Sequence, residues 1–153
     1  MNEQQLSDHI EIEQLIYRMA FCQDRRDWAG LLKIFDEVIT TEYPSAVGGT
    51  TETRSAADQI ERWRVPLESL DASQHSLSGL VLTLNGDQAT ATVNEQGWMR
   101  RDAAIGDSLW YFGGTLDFQL RRTSEGWRIR TLTAGNIWTR GNIGVFPAPE
   151  TIV

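Results

Sequence analysis

Asp24 and His75 are the two side chains in this sequence whose types suit proton transfer near neutral pH. Asp24 lies within QDRRDW, at the end of a segment with helical apolar spacing, and His75 lies within SQHS, at the head of a run rich in strand formers. Only one other histidine exists, His9, and it falls in a polar amino-terminal stretch. A carboxylate that accepts the proton on one imidazole nitrogen leaves the other nitrogen free as a general base and stabilises the imidazolium that forms. A plainer reading stands beside this one. Asp24 is also placed to cap a helix or pair with Arg25 or Arg26, and His75 to sit half-buried in a strand, bonded to backbone.

The elements that must position the pair follow from periodicity. Ile12, Leu15, Ile16, Met19, Ala20 and Gln23 repeat at helical spacing, with Ser7 as the cap, which predicts a helix over about 8–24 after a short amino-terminal tail of residues 1–7. Asp27 reads as the cap of a second helix with a stripe of Trp28, Leu31, Leu32 and Phe35. VITTEY reads as a short strand ended by Pro44 and a flexible GGT. Ser55 and Asp58 form the signature of a third helix cap, and Pro66 ends or kinks that helix. LVLTL, Asn85-Gly86 and QATATV predict a hairpin with Asn85-Gly86 in the turn. Runs at about 108–122 and 127–139 add two more strands.

Three helices followed by a curved antiparallel or mixed sheet is an α+β arrangement. A sheet wrapped around a helical hairpin and a third helix makes a cone enclosing an apolar pocket, with bends expected at Gly79, Gly97, Gly113 and Gly114. Residues 1–153 are read as a single domain whose tail, 141–153, packs extended.

Composition narrows the function. A net charge of −7 disfavours nucleic acid or an anionic membrane as partner. The arginine pairs Arg25/Arg26, Arg100/Arg101 and Arg121/Arg122 either hold a substrate carboxylate or, the plainer choice, bridge nearby acids. Cys22 is the single cysteine and reads as a packed apolar residue. No Cys/His cluster, phosphate loop or nucleophile elbow is present in the sequence, so the expectation is chemistry with no metal and no cofactor. The start, MNEQQLSDHI, lacks the pattern of a signal peptide, and a cytoplasmic setting is expected.

The ordered segments LIYRMAFCQDRRDWAGLLKIF, TEYPSAVGG, SQHSLSGLVLTLNGDQATATV and GGTLDFQLRRTSEGWRIR resemble the SnoaL-like family of the nuclear transport factor fold superfamily. Scytalone dehydratase, bile acid dehydratase and hexachlorocyclohexane dehydrochlorinase are members. The resemblance covers residues of about 8–140 and rests on D-x-x-D-W, Q-H and G-W-R-I in that order. It implies a dyad of Asp24 and His75 inside the cone, with Tyr43 as a third catalytic group that polarises the substrate. Gln23, Gly114 and Leu116 stand where scytalone dehydratase carries polar partners, which argues against scytalone as substrate. The expected pocket comprises Met19, Ala20, Gln23, Trp63, Trp98, Leu116 and Trp138, although strand alternation sets Trp98 opposite Glu95 unless a bulge intervenes at Gly97.

The implied activity is a cofactor-independent lyase, a dehydratase or dehydrohalogenase, acting on a small hydrophobic ring. The alternatives are a polyketide cyclase or isomerase using the same base, and a non-catalytic small-molecule-binding module. Family members with this dyad imply a homo-oligomer, a trimer in preference to a dimer.

Overall fold

A computed structural model of the chain describes residues 1–43 and 49–146, with Asn136 described by its backbone alone. Helix α1 spans Glu3–Arg25, α2 Trp28–Leu32 and α3 Ala56–Glu68. The strands are β1 Phe35–Glu42, β2 Thr51–Ser55, β3 Ala72–Asn85, β4 Gln88–Arg100, β5 Leu109–Thr123 and β6 Gly126–Gly141, and a single 3-10 turn follows at Ile143–Val145. The strands form one mixed, unclosed curved sheet in the order β2-β1-β6-β5-β4-β3. Among the described residues, only the β1–β6 pair is parallel.

Helix α1 begins earlier than the apolar stripe predicts. Asn2, not Ser7, is the cap: its side chain accepts from the Gln5 N–H while the Gln5 side chain accepts from the Asn2 N–H. This reciprocal box satisfies two otherwise orphan donors and extends the helix through the polar residues expected to be a tail. Ile12, Leu15, Ile16 and Met19 then face the sheet, buried. The helix stops at Arg26, which takes a left-handed backbone (φ 60°) and returns its N–H to the carbonyls of Cys22 and Gln23. Asp27 caps α2 as expected, by accepting from the Gly30 N–H at 2.8 Å. That helix is shorter than its stripe suggested, because Phe35 already opens β1 and Leu32 is exposed. Strand β2, Thr51–Ser55, follows the GGT in a stretch for which no element was expected.

In the β3–β4 hairpin, Asn85 pairs with Gln88, so the two turn residues are Gly86 and Asp87 rather than Asn85 and Gly86. Gly86 alone has a positive φ (59°), the pattern of a turn with glycine at its first central position. Among the described residues the pairing shifts register at four places, at Phe35/Thr40 in β1, at Ser78/Val81 around Gly79, at Gly113/Thr115 around Gly114, and at Gln119/Leu120, and such irregularities bend a sheet. Gly97 lies in regular pairing and bends nothing.

The inner face of the sheet and the helices share a core including Ile12, Ile16, Met19, Ile39, Val93, Leu116, Phe118, Trp127 and Ile129. A second cluster, Leu67, Leu70, Met99, Trp110 and Val145, closes the end nearest the carboxy-terminal segment, whose Val145 is fully buried and whose Phe146 meets Trp110 edge-on. The rest of the expected extended tail, 147–153, and Pro44 lie outside the described residues. Among the described residues, no helix is long and apolar enough to cross a membrane.

Candidate active site

Strand β3 presents Ser73, His75 and Leu77 on its inner side, against the end of α1, where Asp24 stands one turn beyond Ala20. The Asp24 carboxylate accepts three hydrogen bonds there. His75 Nδ1 lies 2.7 Å from Oδ1, the His75 backbone N–H donates to Oδ2 at 2.7 Å, and the Ser73 hydroxyl donates to Oδ1 at 3.1 Å. An ionised carboxylate only accepts, so the contact with Nδ1 places the ring proton there and leaves Nε2 as the basic nitrogen. The ring is held twice, through its own Nδ1 and through the peptide that carries it.

A further layer fixes this arrangement. Arg26 donates from Nη1 to the Ser73 hydroxyl at 2.8 Å and to the Gln23 carbonyl at 2.7 Å. The left-handed turn that ends α1 therefore aims the guanidinium at the serine, and the serine aims its proton at Asp24. Burial lowers the Arg26 pKa, while the neighbouring Asp24 and Glu68 charges oppose that effect. Arg26 thus serves the site through Ser73, a role distinct from the direct pairing with Asp24 that the plainer reading allowed.

The imidazole side chain is 8% exposed. His75 pairs across the sheet with Gly97, which pairs on its other side with Phe112. A β-carbon on Gly97 would lie 2.2 Å from the Phe112 ring. The glycine is required for close approach: it lets the Phe112 ring lie over the strand and meet His75 edge-on, with centroids 6.0 Å apart. Phe112 in turn packs on Trp110, centroids 5.1 Å apart, whose buried indole N–H has no hydrogen-bond partner among the described residues.

Glu95 shares this inner face, paired with Leu77 and Gly114 and one diagonal step from His75. Burial raises its pKa, the His75 charge lowers it, and the Asp24 charge raises it again. Tyr43 sits on the facing wall. Its hydroxyl accepts from Trp63 Nε1 at 3.0 Å, and burial, reinforced by Glu95, pushes its pKa up. Tyr43 thus carries a neutral hydroxyl with a lone pair engaged by Trp63.

Of the residues expected at the site, Asp24 and His75 are in direct contact. Met19 and Leu116 are buried in the main core, Ala20 is buried beside Met19 on α1, and Gln23 is half-buried with its carbonyl bound to Arg26. Trp63 and Tyr43 pack on the same core. Trp98 and Trp138 are corrections: they are 38% and 55% exposed, on the outer face of the sheet. Trp98 pairs with Tyr111 in uninterrupted register, so alternation turns it away from Met99 and Glu95. Trp138 would share a face with Leu132 and Ala134 in a regular strand. Between Thr115↔Gly135 and Gly113↔Trp138, however, β6 advances three residues while β5 advances two, and the bulge turns Trp138 outward over Gly113 and Ile137 inward.

Ser73 and Phe112 are site neighbours that the sequence reading did not single out, and Arg26 entered it only as a direct partner of Asp24. Ser73 carried a signal, since it stands two positions before His75 and so on its face. Two hollows of about 370 and 460 Å³ open on the outer side of the sheet, around Thr83, Gln88 and Gln119 and around Val38, Thr53 and Arg121, and neither borders the dyad. Among the described residues, no group of three His, Cys, Asp or Glu side chains is arranged to hold a metal ion.

Known structures share this architecture. The protein Kfla4162 from Kribbella flavida superposes with a TM-score of 0.82 at 23% identity, over 88% of this chain and 94% of that one. A protein assigned as a scytalone dehydratase from Novosphingobium aromaticivorans gives 0.75 at 12% identity, over 97% and 98%. A type 2 hexachlorocyclohexane dehydrochlorinase gives 0.74 at 16% identity, over 95% of each chain. No curated protein sequence matches this chain significantly. Residues 4–133 match the family model described as a SnoaL-like domain, and with that match and the shared cone the chain belongs to the SnoaL-like family.

Proposed function

We propose that the protein is a cofactor-independent lyase, of dehydratase or dehydrohalogenase type, in which His75 Nε2 removes a proton from a carbon of a small hydrophobic ring substrate and a leaving group departs from the neighbouring carbon. The observation that carries the reading is the 2.7 Å contact between His75 Nδ1 and Asp24 on the inner face of the sheet, with the imidazole nearly buried. Asp24 fixes the tautomer and stabilises the imidazolium, and the Tyr43 hydroxyl is the donor for developing charge on the substrate. The family's dehydratase-like and dehydrochlorinase neighbours support an activity of the lyase or isomerase kind. A positioned base contributes roughly 10²- to 10⁴-fold, and the remainder of the acceleration is assigned to orientation within a water-poor site.

The test is a screen of hydroxy- and halo-substituted ring compounds by ultraviolet absorbance and product mass, with His75→Gln as control. Loss of the mass of water or hydrogen halide, abolished in the variant, is the expected result. Turnover that survives His75→Gln contradicts the base, and a product of unchanged mass reassigns the same base to cyclisation or isomerisation. We place a homo-oligomer, a trimer before a dimer, beside this reading, with the cytoplasm as its setting. The outward Trp98 and Trp138 offer aromatic surface for such an assembly.

A further inference from the structure

Resting on the elimination just proposed, the geometry points to Glu95 as the proton donor to the leaving oxygen, which makes a ring alcohol the matched substrate and water the product. Glu95 is on the inner face of β4, diagonal to His75 across the β3–β4 pair, a spacing of roughly 7–8 Å between backbones that places one reacting bond pair between two long side chains. On its other side stands Gly114, which brings no side chain to cover the carboxyl. The titratable groups that face it among the described residues are His75 from β3, Asp24 from α1 and, beyond β1, the Tyr43 hydroxyl. No arginine or lysine is among the groups acting on it. Burial without a permanent cation favours the un-ionised acid, and an un-ionised carboxyl in an apolar site is a donor.

The step balances. His75 Nε2 takes the proton from carbon, the C–H electron pair becomes the new C=C bond, and the C–O bond breaks as its oxygen receives the Glu95 proton and leaves as water. The imidazolium and the Glu95 carboxylate that remain are reset by proton transfer through solvent. A departing chloride needs no proton, so the same acid gives nothing to dehydrohalogenation. Asp24 cannot take the role, because its oxygens are occupied by His75 and Ser73 as acceptors.

The experiment compares the whole chain with Glu95→Gln and His75→Gln on two probes that yield the same enone, β-hydroxycyclohexanone and β-chlorocyclohexanone, followed by absorbance above the uncatalysed rate. Glu95→Gln is expected to lose about 10²-fold on the hydroxy probe, the lower end for general acid catalysis, and to keep wild-type chloride elimination. His75→Gln is expected to lose both. Equal loss on both probes, or none, in Glu95→Gln overturns the assignment, whereas wild-type rates in His75→Gln sink the base and leave the acid to be judged separately. A second arm needs no turnover. A carboxyl with a raised pKa binds more protons folded than unfolded above its ordinary value of 4.5, so its contribution to stability falls as pH rises through that window. Glu95→Gln should therefore gain in Tm over the wild type as pH rises from 4.5 toward neutrality, and a gap that does not change with pH overturns the proposal.

Discussion

Helix α1 carries two shielded aspartates that face the sheet, Asp8 and Asp24, roughly 24 Å apart along its axis at 1.5 Å per residue. Both are clamps between helix and sheet, and their partners make them different objects. Asp8 accepts from Arg122 at 2.5 Å, from Trp127 Nε1 at 3.2 Å and from Gln4 at 3.0 Å, while Arg122 also pairs with Asp87 and lies over the Trp127 ring. The Arg122 hydrogen bond, outweighing desolvation, holds the Asp8 carboxyl down at about 2. A carboxylate facing a permanent cation is fully committed to the fold. Asp24 instead faces an imidazole, a peptide N–H and a hydroxyl and, among the described residues, no permanent cation in direct contact, an arrangement suited to stabilising a proton arriving on His75. The partner, more than the carboxylate, separates a structural clamp from the catalytic role proposed for Asp24.

The contrast can be broken at either end of the helix. His75→Gln should cost roughly 10²- to 10⁴-fold in kcat/KM with Tm nearly unchanged, read by steady-state kinetics beside thermal unfolding. Asp8→Asn should do the opposite. It should lose about 1–2 kcal/mol, discounted for the partly exposed Arg122, and keep turnover per folded molecule. The sign with pH follows from the depressed pKa: the Asp8 contribution is full above 3.8 and disappears as pH falls through about 2, so Asp8→Asn and wild type should converge in stability in acid. Parallel stability curves down to that pH would contradict the clamp. Gly97→Ala should push the Phe112 ring off His75, at a cost of about 1–3 kcal/mol for overpacking and a loss of activity, seen as altered ring-proton shifts of both residues by NMR. Ser73→Ala removes one of three bonds to Asp24 and the anchor of Arg26. It should lower kcat about tenfold or less, near the worth of a single hydrogen bond, and leave KM alone.

What the sequence disclosed follows the reach of each signal. Local chemistry was legible: the Asp27 and Ser55 caps, the hairpin around Gly86 and the contact of Asp24 with His75 are set by residue type within a few positions, or by the ordered motifs that carry the family resemblance. The start of α1 was missed because Asn2 and Gln5 form a box outside the apolar stripe. Facing in the sheet was legible only where register is regular. Glu95 and Trp98 follow alternation along β4, and their opposite faces were foreseen in kind, whereas Trp138 depends on one extra residue at the β5–β6 bulge that no local pattern announces. Phe112 depends on a cross-strand partner, Gly97, fixed by the fold as a whole. The arginine pairs resolve mainly as the plainer choice, since Arg100 bridges Asp102, Arg121 bridges Asp36 and Arg122 bridges Asp8. Cys22 is buried beside Asp27, its thiol pKa raised by that burial.

The central claim is that Asp24 and His75 act as one unit. A double-mutant cycle of Asp24→Asn, His75→Gln and the combined variant, read as kcat/KM on an identified substrate, tests it most directly. The account predicts that the double variant is no slower than His75→Gln alone, because a carboxylate without its imidazole has nothing left to orient. Losses that multiply would show two independent contributions and would contradict the dyad.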